Sequence, residues 1–161
     1  ILRLVADFGR KKGYNFKLIG IDANQDAIDY ANELSVNYPE LSFRNEDIFS
    51  EEFQEINYDI ALTTLFLHHF KEDEIVNLLS SLSDKATIGI VVNDLQRSEI
   101  AYGLFKLLGI VISNYMIKQD GLTSILRAFK REDLERLSQK LNFKSEIGWK
   151  WAFRYQWLIR T

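Results

Sequence analysis

Apolar positions along the chain change period several times, and the changes mark its elements. Ile1, Leu4, Val5 and Phe8 recur at helical spacing, Lys11 and Lys12 suit a last helical turn, and Gly13 suits the stop. Residues 16–21 predict a buried strand, its apolar run at 18–21 ending at Asp22. Asn24 then caps a helix with Asp26 in its first turn and Ala27, Ile28, Ala31 and Leu34 on one face. Pro39 marks a loop, residues 41–44 a short strand, and 51–53 a single helical turn. Residues 58–65 predict a strand running into Phe66-Leu67-His68-His69-Phe70. Ile75, Leu78, Leu79 and Leu82 make a helical stripe, and the β-branched run 86–92 ends at Asn93-Asp94. Strands apolar on both faces, with helices between them, indicate a parallel α/β sheet covered on both sides.

The pattern then shifts. Residues 98–113 predict a strongly apolar helix, followed by an irregular segment containing Met116, Gly121 and Arg127. Leu134, Leu137 and Leu141 support a helix from about Arg131, with Lys130 a poor residue for its cap. From Phe143 to Ile159 the odd positions are mostly large and apolar, the period of a strand. The run is too long for one strand and predicts an antiparallel pair turning near residues 148–152. The whole reads as a single domain, 1–161.

Composition narrows the classes. The 161 residues are 47% hydrophobic and 27% charged, the proportions of a soluble globular domain. A net charge of −3 lacks the basic footprint of a nucleic-acid binder. With no cysteine and only two histidines there is no material for a disulfide or a thiolate metal site, and the default location is cytoplasmic. The longest apolar run is too short to span a bilayer.

Candidate chemistry clusters where strands end, because ligands of open parallel sheets sit outside the carboxyl ends of strands. Asp22 there can accept both hydrogens of a ribose diol. His68 or His69 titrates near neutrality and can take a proton from an acceptor, and adjacent side chains point apart, so one of them faces a cavity. Asn93 and Asp94 end another strand on the same face, and Arg97 and Arg127 can anchor an anion. The apolar helix at 98–113 either lids an apolar pocket, with Tyr102, Phe105 and Met116 lining it, or packs on the sheet or in a homodimer interface. Trp149, Trp151 and Phe153 read first as core.

A strand ending in Asp22, a second acid at Asp47, a strand running into His68-His69 and a closing antiparallel pair together resemble the class I S-adenosylmethionine-dependent methyltransferases, small-molecule type. The resemblance spans essentially the whole chain. It implies a Rossmann-like, mostly parallel sheet whose last strand lies antiparallel between two others. It also implies S-adenosyl-L-methionine as cofactor. Asp22 would bind the ribose, Ala23 would lie against the adenine, Asp47 would accept from the adenine amine and Ile48 would pack on the ring. Leu65 and Phe66 would line the methionine side, with His68 and His69 near the methyl group. The acceptor would be small, apolar or aromatic, methylated at oxygen without a metal. The family's first strand and glycine-rich loop are not in this sequence, and the resemblance implies that they lie upstream of Ile1. Two other readings stay open: a nicotinamide-dependent oxidoreductase, since an acid in this position also suits its ribose, and an interaction module that kept the fold without the chemistry.

Overall fold

The computed structural model describes every residue except 51, 52, 54 and 111–113. Two compact units divide the chain, Ile1–Ile56 and Asn57–Thr161.

In the first unit, helix α1 (Leu2–Lys12) precedes strand β1 (Leu18–Asp22), helix α2 (Gln25–Leu34) and strand β2 (Leu41–Asn45). The strands pair in parallel, Leu18 opposite Leu41 through Asp22 opposite Asn45. α1 stops at Gly13, whose φ of 75° is the left-handed conformation that glycine adopts without a Cβ penalty. Asn24 caps α2 by accepting from the Asp26 N–H at 2.9 Å, as its position predicts. The expected apolar stripe of α1 is corrected. Leu4 and Phe8 are exposed, and α1 buries Ala6 and Gly9 instead. The Phe16 ring crosses Gly9 so closely that an added Cβ would stand 2.6 Å from it, so small residues form the contact face. The single turn expected at 51–53 falls largely outside the described residues.

In the second unit, strand β3 (Tyr58–Thr64) leads through a short 3-10 turn (Leu67–His69) into helix α3 (Glu72–Lys85) and strand β4 (Ala86–Leu95). Helices α4 (Glu99–Leu108), α5 (Tyr115–Arg127) and α6 (Arg131–Leu141) follow, then strands β5 (Lys144–Lys150) and β6 (Arg154–Arg160). The sheet order is β3-β4-β6-β5. β3 and β4 are parallel, and β6 runs antiparallel between β4 and β5, as the resemblance implies. Ile75, Leu78, Leu79 and Leu82 of α3 are all buried, matching their helical spacing. In β6 the alternation holds strictly: Tyr155, Trp157 and Ile159 are buried. Arg136 and Lys140 of α6 clasp Glu72 of α3 and hold its carboxyl down at about 2. The two cations are exposed and Glu72 is half-exposed, so solvent screening keeps the tie weak.

Two helices depart from the sequence reading. The segment around Met116, Gly121 and Arg127 is helical, not irregular. Asn114 accepts from the N–H groups of Met116 and Ile117, a full cap, and the Phe105 ring packs onto the Gly121 backbone. A mid-helix glycine lowers local propensity, and tertiary packing overrides it. α4 ends at Leu108, and residues 111–113 of the longer helix expected there lie outside the described residues. At α6, the missing Lys130 side-chain cap is made good from the other side, because the Asp133 carboxylate accepts the Lys130 N–H at 2.9 Å.

Gly89 sets the fit of β4. The β3–β4 register slips between Tyr58 and Ile60, and Gly89, opposite Ile60, has φ 155°. A Cβ there would lie 2.2 Å from the Ile159 carbonyl oxygen of β6. Gly89→Ala is therefore expected to cost about 2–3 kcal/mol or more, through backbone strain and a displaced ladder. A lowered urea midpoint at unchanged m checks it.

Candidate active site

The carboxyl ends of β3 and β4 carry a buried polar knot. Asp94 is 2% exposed, and its Oδ2 accepts the backbone N–H groups of Leu67 at 2.8 Å and Phe66 at 3.1 Å. A longer contact of 3.4 Å comes from the His68 N–H. Its Oδ1 lies 2.6 Å from His68 Nδ1 and 2.7 Å from the Leu95 N. Successive N–H groups at a turn make an anion-binding nest, and here β4 supplies the anion from within the protein. With the carboxylate accepting on every side, Nδ1 of His68 carries the hydrogen. The expectation that Asp94 touches the acceptor is corrected: it is enclosed, and its oxygens are committed to the turn.

The two histidines separate as adjacent residues should. His68 is 4% exposed and locked to Asp94, so it holds the turn in place. His69 is exposed and its ring rests on that of His68, centroids 4.1 Å apart. Partial burial and then the neighbouring His68 lower its pKa below the ordinary imidazole value, with Arg127 acting the same way and Asp120 and Asp94 opposing. Leu65, at the end of β3, has φ 53° and donates its N–H to the Asn93 carbonyl at 2.9 Å. A left-handed leucine costs roughly 1–3 kcal/mol and marks the place where the chain is forced to turn. Asn93 Oδ1 is buried, with no hydrogen-bond partner among the described residues.

The remaining candidates of this unit scatter. Arg97 pairs with Asp133 at 2.6 Å, so its guanidinium serves the start of α6 rather than an anionic acceptor. Arg127, exposed in the last turn of α5, acts electrostatically on His69. Tyr102 is half-buried on α4, and Met116 is 79% exposed. Phe105 lines an apolar cleft of about 520 Å3 with Trp149 and Phe153. Reading Trp149 and Trp151 as core is corrected, since they are 54% and 86% exposed. Strand alternation marks a face but does not say whether that face is covered.

In the first unit, Asp22 and Asp47 stand at the carboxyl ends of the paired strands β1 and β2. Asp22 Oδ1 accepts the Asn24 N–H at 2.8 Å, and Asp47 Oδ1 accepts the Phe49 N–H at 3.0 Å. Each is the oxygen of a local turn, which aims the carboxylate while its other oxygen has no hydrogen bond among the described residues. Asn45 Nδ2 and the Glu46 N–H both reach the Asp22 carbonyl, binding the two strand ends together. Glu46, which sequence reasoning missed, has a buried Oε1 with no hydrogen-bond partner among the described residues. An acid between two candidate acids was the available signal. Carboxylate oxygens left as acceptors, one of them buried and orphaned, fit a ligand rich in donors, such as a ribose diol and an adenine amine. Ala23 is exposed beside Asp22, and Ile48 is half-buried beside Asp47.

An α/β fold with acids at the ends of β1 and β2, a histidine turn at the end of β3 and a final strand inserted antiparallel defines a class I methyltransferase architecture. A methyltransferase-domain family model matches residues 3–89. The chain belongs to that family and is an S-adenosylmethionine-dependent methyltransferase. Among solved structures it is similar to the plantazolicin methyltransferase BpumL, crystallised with a pentazolic desmethylPZN analog and SAH. That match has TM-score 0.71 and 16% identity, over 99% of this chain and 72% of the other. It is also similar to magnesium protoporphyrin IX methyltransferase from Synechocystis PCC 6803 with bound SAH, at TM-score 0.57 and 14% identity, over 93% and 66%. A third is an O-methyltransferase family 2 protein from Planctomyces limnophilus DSM 3776 in complex with apigenin, at TM-score 0.68 and 13% identity, over 97% and 45%. At these identities the structures speak to fold alone. No curated protein sequence matches the chain.

Proposed function

We propose that this methyltransferase moves a methyl group from S-adenosyl-L-methionine to an oxygen of a small, apolar or aromatic acceptor, and that His69 takes the acceptor's proton. The observation that carries the reading is the histidine turn, where one imidazole is locked by a buried carboxylate and the next is exposed on top of it. When bound, the cofactor supplies an activated methyl group on a sulfonium. Asp22, Ala23, Asp47 and Ile48 take its nucleoside, and the orphaned Glu46 oxygen adds a further acceptor. Leu65 and Phe66 take its methionine part.

Because the leaving group is already activated, the protein's main contribution is orientation, and a base adds roughly 10²–10⁴-fold for a hydroxyl acceptor. His69 would take the proton that the acceptor hydroxyl gives up on methylation. The lowered pKa of His69 keeps that imidazole neutral at physiological pH and so able to accept it. The similar structures hold a pentazolic desmethylPZN analog in one case and apigenin in another, and a flat acceptor is part of the proposal.

The sign of the pH effect follows. A depressed histidine pKa places the acid limb of kcat below the ordinary value near 6.5. His69→Ala is expected to lower kcat by about 10² and to abolish that limb. His68→Ala is expected instead to act through stability. A pH–kcat series on both variants decides it, and an unaltered acid limb in His69→Ala removes the base from the reading.

A further inference from the structure

The cleft beside α4 has a chemistry more specific than its apolar lining. Leu104, Phe105 and Leu108 of α4, Ile125 of α5, and Trp149 and Phe153 of the β5–β6 hairpin form its walls, around about 520 Å3. That is the size of sites that enclose small organic ligands. Among the described residues lining it, Gln96 alone carries a side-chain amide, and Trp149 Nε1 lies 2.9 Å from Gln96 Oε1. An indole N–H can only donate, so the carboxamide orientation follows from chemistry: the oxygen meets Trp149, and the NH2 is left with no partner among the described residues. Among the described residues, no charged side chain lines the cleft.

The walls are built in place rather than loosely apposed. The Gln96 N–H donates to the Phe153 carbonyl at 2.8 Å, which staples the hairpin turn to the end of β4. Ala152 and Phe153 both adopt left-handed φ values, 63° and 54°, so the turn holds a conformation that costs energy. Leu95 and Gln96 directly follow Asp94, at the strand end where ligands of such sheets collect. α5 packs on both α4 and the histidine turn, so the cleft and His69 share a wall element.

We propose that this cleft binds the flat apolar body of the methyl acceptor and recognises one uncharged acceptor oxygen on it, a carbonyl or ether, through the Gln96 NH2. The proposal rests on the small-acceptor reading above and deepens it. A carboxylate ligand meets no cation here, and a purely hydrocarbon one leaves the amide unpaired, so both bind more weakly.

The test uses the full chain, tryptophan fluorescence quenching and calorimetry, with 2-acetylnaphthalene as probe. 2-Ethylnaphthalene, lacking the oxygen, and 2-naphthoate, bearing a charge, are the comparisons. 2-Acetylnaphthalene is expected to bind severalfold more tightly than either, the gain of one hydrogen bond. Gln96→Leu is expected to erase the preference. Gln96→Glu keeps an acceptor for Trp149 but removes the donor, and is expected to erase it too, which covers any misfolding of the first variant. Leu104→Glu is expected to weaken all three ligands tenfold or more. Equal affinities in the native chain, or a preference that survives both Gln96 variants, overturns the proposal. So does a dimer that excludes every probe until Leu104→Glu dissociates it, which assigns the cleft to a second copy. Titration with S-adenosylhomocysteine is scored separately. Its failure with naphthyl binding intact sinks the methyl-transfer reading but leaves the cleft a ligand site, and the reverse result sinks the cleft alone.

Discussion

Asp94→Ala is expected to cost about 3–5 kcal/mol, the largest loss of any single substitution at the site. The magnitude comes from what is stranded rather than from what is removed. The variant leaves the His68 Nδ1 hydrogen and the N–H groups of Phe66 and Leu67 without their acceptor, at a position only 2% exposed. Against a total stability of roughly 5–15 kcal/mol, that is a large share. Asp94→Asn keeps one acceptor oxygen and is expected to lose less. A cycle with His68→Phe, followed by urea unfolding, isolates the coupling, which should exceed about 1 kcal/mol. An Asp94→Ala loss below 1 kcal/mol contradicts the knot as described.

Asp22→Ala is expected to weaken S-adenosylhomocysteine binding by about 10²-fold. Two hydrogen bonds from a ribose diol to a carboxylate are together worth roughly 3 kcal/mol or more, and each 1.4 kcal/mol is tenfold. The variant also loses the turn bond to the Asn24 N–H, a local effect of about 0.5–1.5 kcal/mol on stability. Asp22→Asn separates the two effects, because its side-chain oxygen keeps the turn while the charge is lost. Calorimetry reads the affinity and a thermal melt reads the fold. Unchanged affinity in Asp22→Ala removes the ribose contact from the proposed function.

Local pattern determined a good deal of this protein. The α3 stripe, the Asn24 cap, the stop at Gly13 and the alternation of β6 follow from spacing and turn chemistry within a few residues, and each is present as read. The order of strands and acids pointed to the methyltransferase family for the same reason: it is linear information. Only the tertiary structure decided the rest. It helped turn the Met116–Arg127 segment into a helix, because the Phe105 ring packs where Gly121 has no side chain. It sent Arg97 to Asp133, exposed Trp149 and Trp151, and divided the work of two adjacent histidines between holding and facing outward. Above all it enclosed Asp94, 26 positions from His68, against the histidine turn. A strand-end acid reads the same in sequence whether it meets a ligand or the backbone of another strand's turn. The desolvation and hydrogen-bonding partners that separate those two roles exist only once the chain is folded.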